Sequence, residues 1–221
     1  MARPPGHGPA FEGRRQEIID QAASLFAKKG YTATGIAELG EAVGLGKGAL
    51  YHYIGSKEQL LVEIQDRVLQ PLLQRARVID ALDAPSLVRL RLLSEALLEA
   101  ILSRLDHIWV YEHDYRHLTG TNRKRLVRQR REFEWLLQGL LEEAMEEGAL
   151  RRTDPRLAAL QFLNLHNHTY QWAGTRGPAW TAAHLSEEYC RTFFGGLATD
   201  REALEKLDES VAEVRGVLTA D

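Results

Sequence analysis

The sequence predicts an all-α protein with a small three-helix N-terminal head and a larger helical body. Three observations carry this. Apolar residues recur at three- and four-residue spacing in segment after segment, glycines and prolines fall at the ends of those segments, and no run alternates apolar with polar residues as a half-buried strand would. With 44% hydrophobic and 27% charged residues over 221 positions the composition is that of a globular chain, and no internal repeat is present.

Residues 1–13 (MARPPGHGPAFEG) hold three prolines and three glycines and are expected to form a flexible arm. The head is expected over residues 14–60. In RRQEIIDQAASLFAKKGY, Ile18, Ala22, Leu25 and Phe26 share one helical face, and Gly30 ends the helix. A second helix is expected from Thr34 as N-cap, with Ile36, Leu39 and Val43 inward and Gly44 as its stop. The chain restarts near Lys47 and stays helical through Tyr53. Two short helices around a glycine turn suit a helix-turn-helix.

The second of these, GKGALYHY, has the composition of an element that enters a DNA groove. Gly48 and Ala49 admit close backbone approach, and Lys47, Tyr51 and His52 offer a charge and polar tips to phosphates or bases. Tyr51 and Tyr53 point to different sides of the helix, which leaves Tyr53 to pack while Tyr51 reaches outward. Ser56 to Gln59 reads as a capping box that starts the next helix, and Lys57 beside that N-terminus is a natural holder of a backbone phosphate.

The body is expected over residues 61–221. A long helix from Ser56 to about Leu82 is bent or interrupted near Pro71 and links head to body. Pro85 starts a leucine-rich core helix, His107 to Leu118 forms a shorter aromatic-rich one, and Thr121 to Glu147 is closed by Gly148. Asp154-Pro155 is an N-cap followed by proline at the first helical position, opening a helix to about Ala173. Further helices are expected over Thr181 to Leu197 and after Asp200.

The formal net charge is −3, and the stretch from Phe11 to Leu60 balances six Lys/Arg against six Asp/Glu, so the case for DNA rests on where the cations sit. Cys190 is the only cysteine, which excludes an intrachain disulfide and a thiolate zinc cluster. No segment approaches the ~18 apolar residues of a membrane span, and the N-terminus lacks a signal-peptide core, so a cytoplasmic location is expected. No serine nucleophile motif, P-loop or dinucleotide fingerprint is present, and neither catalysis nor a cofactor is expected.

The segment Arg14–Leu61, above all GYTATGIAELGEAVGLGKGALYHYIGSKEQLL, resembles the DNA-binding head of the TetR family of bacterial transcriptional regulators. The features in register are Gly30-Tyr31, Thr34, Gly44, Lys47-Gly48, Leu50-Tyr51-His52-Tyr53 and Ser56-Lys57-Glu58. The resemblance places Thr34, Lys47, Tyr51, His52 and Lys57 at DNA-contacting positions. Gly46 and Ala49 depart from it by lacking the usual hydroxyls, and Ile54 stands where Phe is common. It also implies a homodimer whose last two large helices pair across the interface, with apolar material from Leu157, Leu160, Leu163, Tyr189, Phe193 and Phe194 that could equally be core. Two heads about 34 Å apart would then meet a near-palindromic double-stranded operator and repress by occupancy.

The body carries a second resemblance. YEHDYRHL and the stretch from RQRREFEWLL to TYQWAGTRG are similar to the subgroup whose effectors are acyl-CoA thioesters, including repressors of fatty-acid and steroid-ring degradation. Coenzyme A asks for guanidinium forks, aromatic stacking and an apolar slot. Arg128 and Arg131 in a basic run, Arg176, and Asn167, Tyr170, Trp172 and Trp180 are the candidate contacts, with Trp109 and Tyr115 candidates for the acyl slot. A solvated charged face and an aromatic core are the plain alternatives. A rival function is a metal sensor or enzyme built on His113 and His117, four apart on one helical face, with His166 or His168 as further ligands.

Overall fold

The computed structural model describes residues 8–173, 180–197, 199–200, 202 and 206–218. Its helices are α1 (Pro9–Lys29), α2 (Ile36–Ala42), α3 (Lys47–Ile54), α4 (Lys57–Asp80), α5 (Ser86–Ser103), α6 (Leu105–His113), α7 (Gly120–Glu146), α8 (Pro155–Asn167), α9 (Ala182–Leu197) and α10 (Leu207–Leu218), with 3-10 turns at Tyr115–His117 and His168–Gln171. The all-α expectation holds: apart from an isolated bridge at Leu150, every regular element among the described residues is helical.

The chain divides into two compact units, one of residues 1–69 and 104–127, the other of residues 70–103 and 128–221. The first unit holds α1 to α3, the start of α4, α6 and the first turns of α7. Ile18, Ala22 and Phe26 of α1, Leu39 of α2, Leu50 of α3 and Ile64 of α4 are fully buried in it. The second unit is built around α5, which is buried on nearly every side, polar Ser86, Arg89, Arg91, Ser94 and Glu95 included. A helix this enclosed belongs to the middle of a bundle. Phe162 of α8 and Phe194 of α9 are fully buried in the same unit.

Several expected boundaries move. α1 begins at Pro9, inside the segment expected to be a flexible arm, because proline suits the first turn of a helix and Phe11 gains a partner in Tyr53 at 4.6 Å. Gly35, not Thr34, caps α2. Pro71 lies inside one continuous α4. The aromatic-rich helix ends at His113 and the Asp154-capped helix at Asn167, each followed by a 3-10 turn. Asp154 accepts hydrogen bonds from the amides of Arg156 at 2.9 Å and Leu157 at 3.1 Å, which is the expected N-cap.

Candidate functional site

In the first unit the exposed face of α3 is the candidate site. Leu50 and Ile54 are buried and anchor the helix. Lys47, Gly48, Ala49, Tyr51 and His52 all lie exposed on its other sides. Around Gly48 a side-chain carbon would meet nothing within 4 Å, so backbone can approach backbone there.

The turn that presents α3 depends on two glycines. Gly44 takes a φ of +67°, which an L side chain rarely adopts. At Gly40 a Cβ would fall 2.5 Å from the carbonyl oxygen of Leu45, whose amide donates to Gly40 O at 2.8 Å. Gly44 is marked in the sequence as a helix stop, whereas Gly40 lies mid-helix where no turn signal points to it.

α1 secures both short helices at their C-terminal ends. Arg14 donates to the Val43 carbonyl and pairs with Glu17. Arg15 donates through Nε to the Tyr53 carbonyl at 3.3 Å and pairs with Glu63 at 2.7 Å. Tyr53 is half-buried, as its position opposite Tyr51 predicts.

Two proposed DNA contacts are otherwise engaged. Thr34 is fully buried, and its hydroxyl donates to the Gly30 carbonyl at 2.9 Å, so it holds the turn between α1 and α2 together instead of facing DNA. Lys57 donates to the Tyr31 carbonyl, and its ammonium lies 4.3 Å from the Tyr31 ring centroid. Burial lowers its pKa, opposed by the Asp114 carboxylate. The ammonium thus sits in a seat made by the Tyr31 ring and carbonyl.

Around that seat lies a polar cluster that sequence reasoning did not find. Asp114 is buried and accepts from the Tyr31 amide at 3.2 Å. Burial raises its pKa above the usual carboxylate value, against the hydrogen bond from Tyr31. Glu58 accepts from the amide of Thr119 at 3.1 Å and from Asn122 Nδ2 at 3.3 Å, and these bonds hold its pKa down. In the same unit, Asp20 of α1 pairs with Arg67 and with Arg104, the latter at 3.0 Å. The turn after α1 and the start of α4 are thereby tied to the end of α6 and the start of α7 within one unit.

The proposed effector residues divide between the units. Trp109 and Tyr115 lie half-buried in the first, with Trp109 stacked on His113 at 4.2 Å. In the second, Trp172 and Trp180 meet edge to face at 5.6 Å, Tyr170 and Asn167 are half-buried, and Arg128 and Arg131 are exposed on α7. Arg176 lies outside the described residues. Trp135, another aromatic of α7, is 63% exposed and does not line a core.

His166, one of the further ligands offered for the metal reading, is fully buried. Its Nδ1 donates to the Phe162 carbonyl at 2.7 Å, which leaves Nε2 to accept from Ser94 at 2.6 Å. Ser186 donates to Ser94 at 2.7 Å, and Arg91 donates to Ser186 and to the Ala183 carbonyl. His113 donates to the Trp109 carbonyl, and His117 stacks on Tyr31. Among the described residues no group of three or more His, Cys, Asp or Glu could hold a metal ion, so the metal reading has no site there. No helix among them is long and apolar enough to cross a membrane.

Residues 18–64 match the family described as bacterial regulatory proteins, tetR family, and residues 83–197 match the tetracyclin repressor-like C-terminal domain. The HTH-type transcriptional repressor KstR2 of Rhodococcus jostii RHA1 is 30% identical over 205 residues, covering 90% of this chain and 98% of the relative. The structure of the ketosteroid transcriptional regulator KstR2 of Mycobacterium tuberculosis superposes with a TM-score of 0.79 at 26% identity, covering 90% of this chain and all of the other. The TetR family regulator PfmR of Thermus thermophilus gives 0.74 at 29% identity, over 83% of this chain and 99% of that one. The matched segments cover both the short helices that present α3 and the helical body behind them, and the chain belongs to the TetR family of DNA-binding bacterial transcriptional regulators.

Proposed function

We propose that the protein is a homodimeric repressor that leaves a near-palindromic operator when an acyl-CoA thioester from lipid or steroid breakdown occupies its body. The exposed face of α3, with Lys47, Gly48, Ala49, Tyr51 and His52 outward over buried Leu50 and Ile54, is the observation that carries the DNA half of this reading. Leu157 and Leu160 of α8, 52% and 40% exposed, support a second subunit against that helix. Phe194 is fully buried within its own chain and belongs to the core instead.

The effector class is supported by the likeness to a ketosteroid regulator and by the chemistry the body offers. The Trp172–Trp180 pair provides stacking surface, and Arg128 and Arg131 provide guanidinium groups for phosphates. α4 runs unbroken through both units and is the segment by which effector occupancy would alter the presentation of α3. A coupling of about 1–3 kcal/mol changes operator occupancy by roughly 5–150-fold.

The test is an electrophoretic shift of the DNA upstream of the protein's own gene, with free coenzyme A and with fatty-acyl and steroid-derived thioesters. Release by one thioester and not by free coenzyme A is the expected result. A shift that no thioester reverses would leave the DNA half standing and remove the effector half.

A further inference from the structure

α3 has a second support besides its buried leucine and isoleucine. The Phe11 ring stacks on Tyr53 with centroids 4.6 Å and planes 19° apart, and it meets the neighbouring His52 edge-on at 5.5 Å and 78°. One turn along α1, on the same face, Arg15 holds the Tyr53 carbonyl. The first turns of α1 therefore grip the last turn of α3 by ring and by backbone. That last turn carries Tyr51 and His52, whereas the first turn offers only one long side chain, Lys47.

We propose that Phe11 is a positioning residue for DNA reading. Its ring fixes the side of α3 that bears Tyr53 and His52, so that Tyr51 and His52 meet base edges in one geometry. This rests on α3 being the helix that enters the groove. Phe11 acts through its neighbours and not through a contact of its own. Base-edge hydrogen bonds fall off steeply with angle, whereas phosphate attraction tolerates displacement, so the loss of the ring should appear in discrimination and not in general affinity.

The experiment compares wild type, Phe11→Leu, Phe11→Tyr and His52→Ala by fluorescence anisotropy. One duplex is selected by the wild-type protein from a random library, and the other is its scrambled counterpart. Phe11→Leu keeps apolar bulk without a ring. It is expected to lose about three- to tenfold on the selected duplex, with no change on the scrambled one or in the salt slope and with a small fall in melting temperature from the lost intrachain ring pair. Phe11→Tyr is expected to restore the loss. Wild-type discrimination in Phe11→Leu, an equal loss on both duplexes, or no recovery in Phe11→Tyr would overturn the proposal. Full discrimination in His52→Ala would instead overturn the reading of α3 on which it rests.

Discussion

The backbone amide of Tyr31, in the turn before the DNA-reading helices, donates to Oδ2 of Asp114 at 3.2 Å across 83 positions of sequence. The carboxylate is buried, and its neighbourhood includes the Lys57 ammonium and the His117 ring. Replacement by alanine leaves a part-buried donor without its acceptor. Asp114→Ala is expected to cost about 1–3 kcal/mol in urea unfolding, while Asp114→Asn, which keeps an acceptor oxygen, costs less. Equal losses in the two variants would remove the hydrogen bond from its assigned role.

Gly40 has no room for a side chain, since a Cβ there would lie 2.5 Å from a backbone oxygen that cannot swing away. Gly40→Ala should force α2 and the turn apart, destabilise the protein by roughly 1–3 kcal/mol and abolish operator selectivity. Thermal melting with a DNA-binding assay checks both. A variant that melts and binds as wild type would show that the turn can relax at no cost.

Burial lowers the His166 pKa to about 4, and that of His107 likewise to about 4 despite the nearby Asp20 carboxylate. In the unfolded chain both imidazoles take up a proton near their ordinary value of 6.5. The unfolded state therefore binds more protons between these values. Stability is complete above about pH 6.5 and falls toward pH 4, by on the order of 3 kcal/mol for each fully shifted group. Denaturation near pH 7.5 and near pH 5 should show the loss, and His166→Asn should reduce it. An unchanged pH dependence in that variant would assign the effect elsewhere.

Leu157 and Leu160 present apolar surface that a lone subunit has no reason to expose together on one helix. Leu157→Asp with Leu160→Asp should shift the protein from dimer to monomer in light scattering and weaken operator binding at least tenfold, because two linked heads bind far better than one. A double variant that stays dimeric would place the interface on another surface.

The periodicity of the head and the glycines that stop its helices made α1 to α3 readable in advance, as did the Asp154 N-cap of α8. These signals are local: each needs only neighbours within a turn or two. Thr34 was misjudged as a cap, and the intrachain partner of Lys57 was not foreseen, for the same reason. A threonine before a helix looks like a cap and a lysine at a helix start looks like a phosphate ligand. Here the first is buried against Gly30, and the second is drawn onto Tyr31 by an aromatic ring 26 positions away.

The sequence by itself determined that the chain is helical, that a glycine turn joins two short helices, and that small and polar residues line the second. These follow from hydrophobic period and backbone freedom, which are properties of short segments. Only the tertiary structure decided that Phe11 belongs to α1 and supports Tyr53, that Gly40 must lack a side chain, that Asp114 closes on Tyr31, and that residues 104–127 share a compact unit with the head. Those relationships depend on which surfaces meet when distant segments bury their apolar faces, and no local pattern encodes which partner a buried polar group will find.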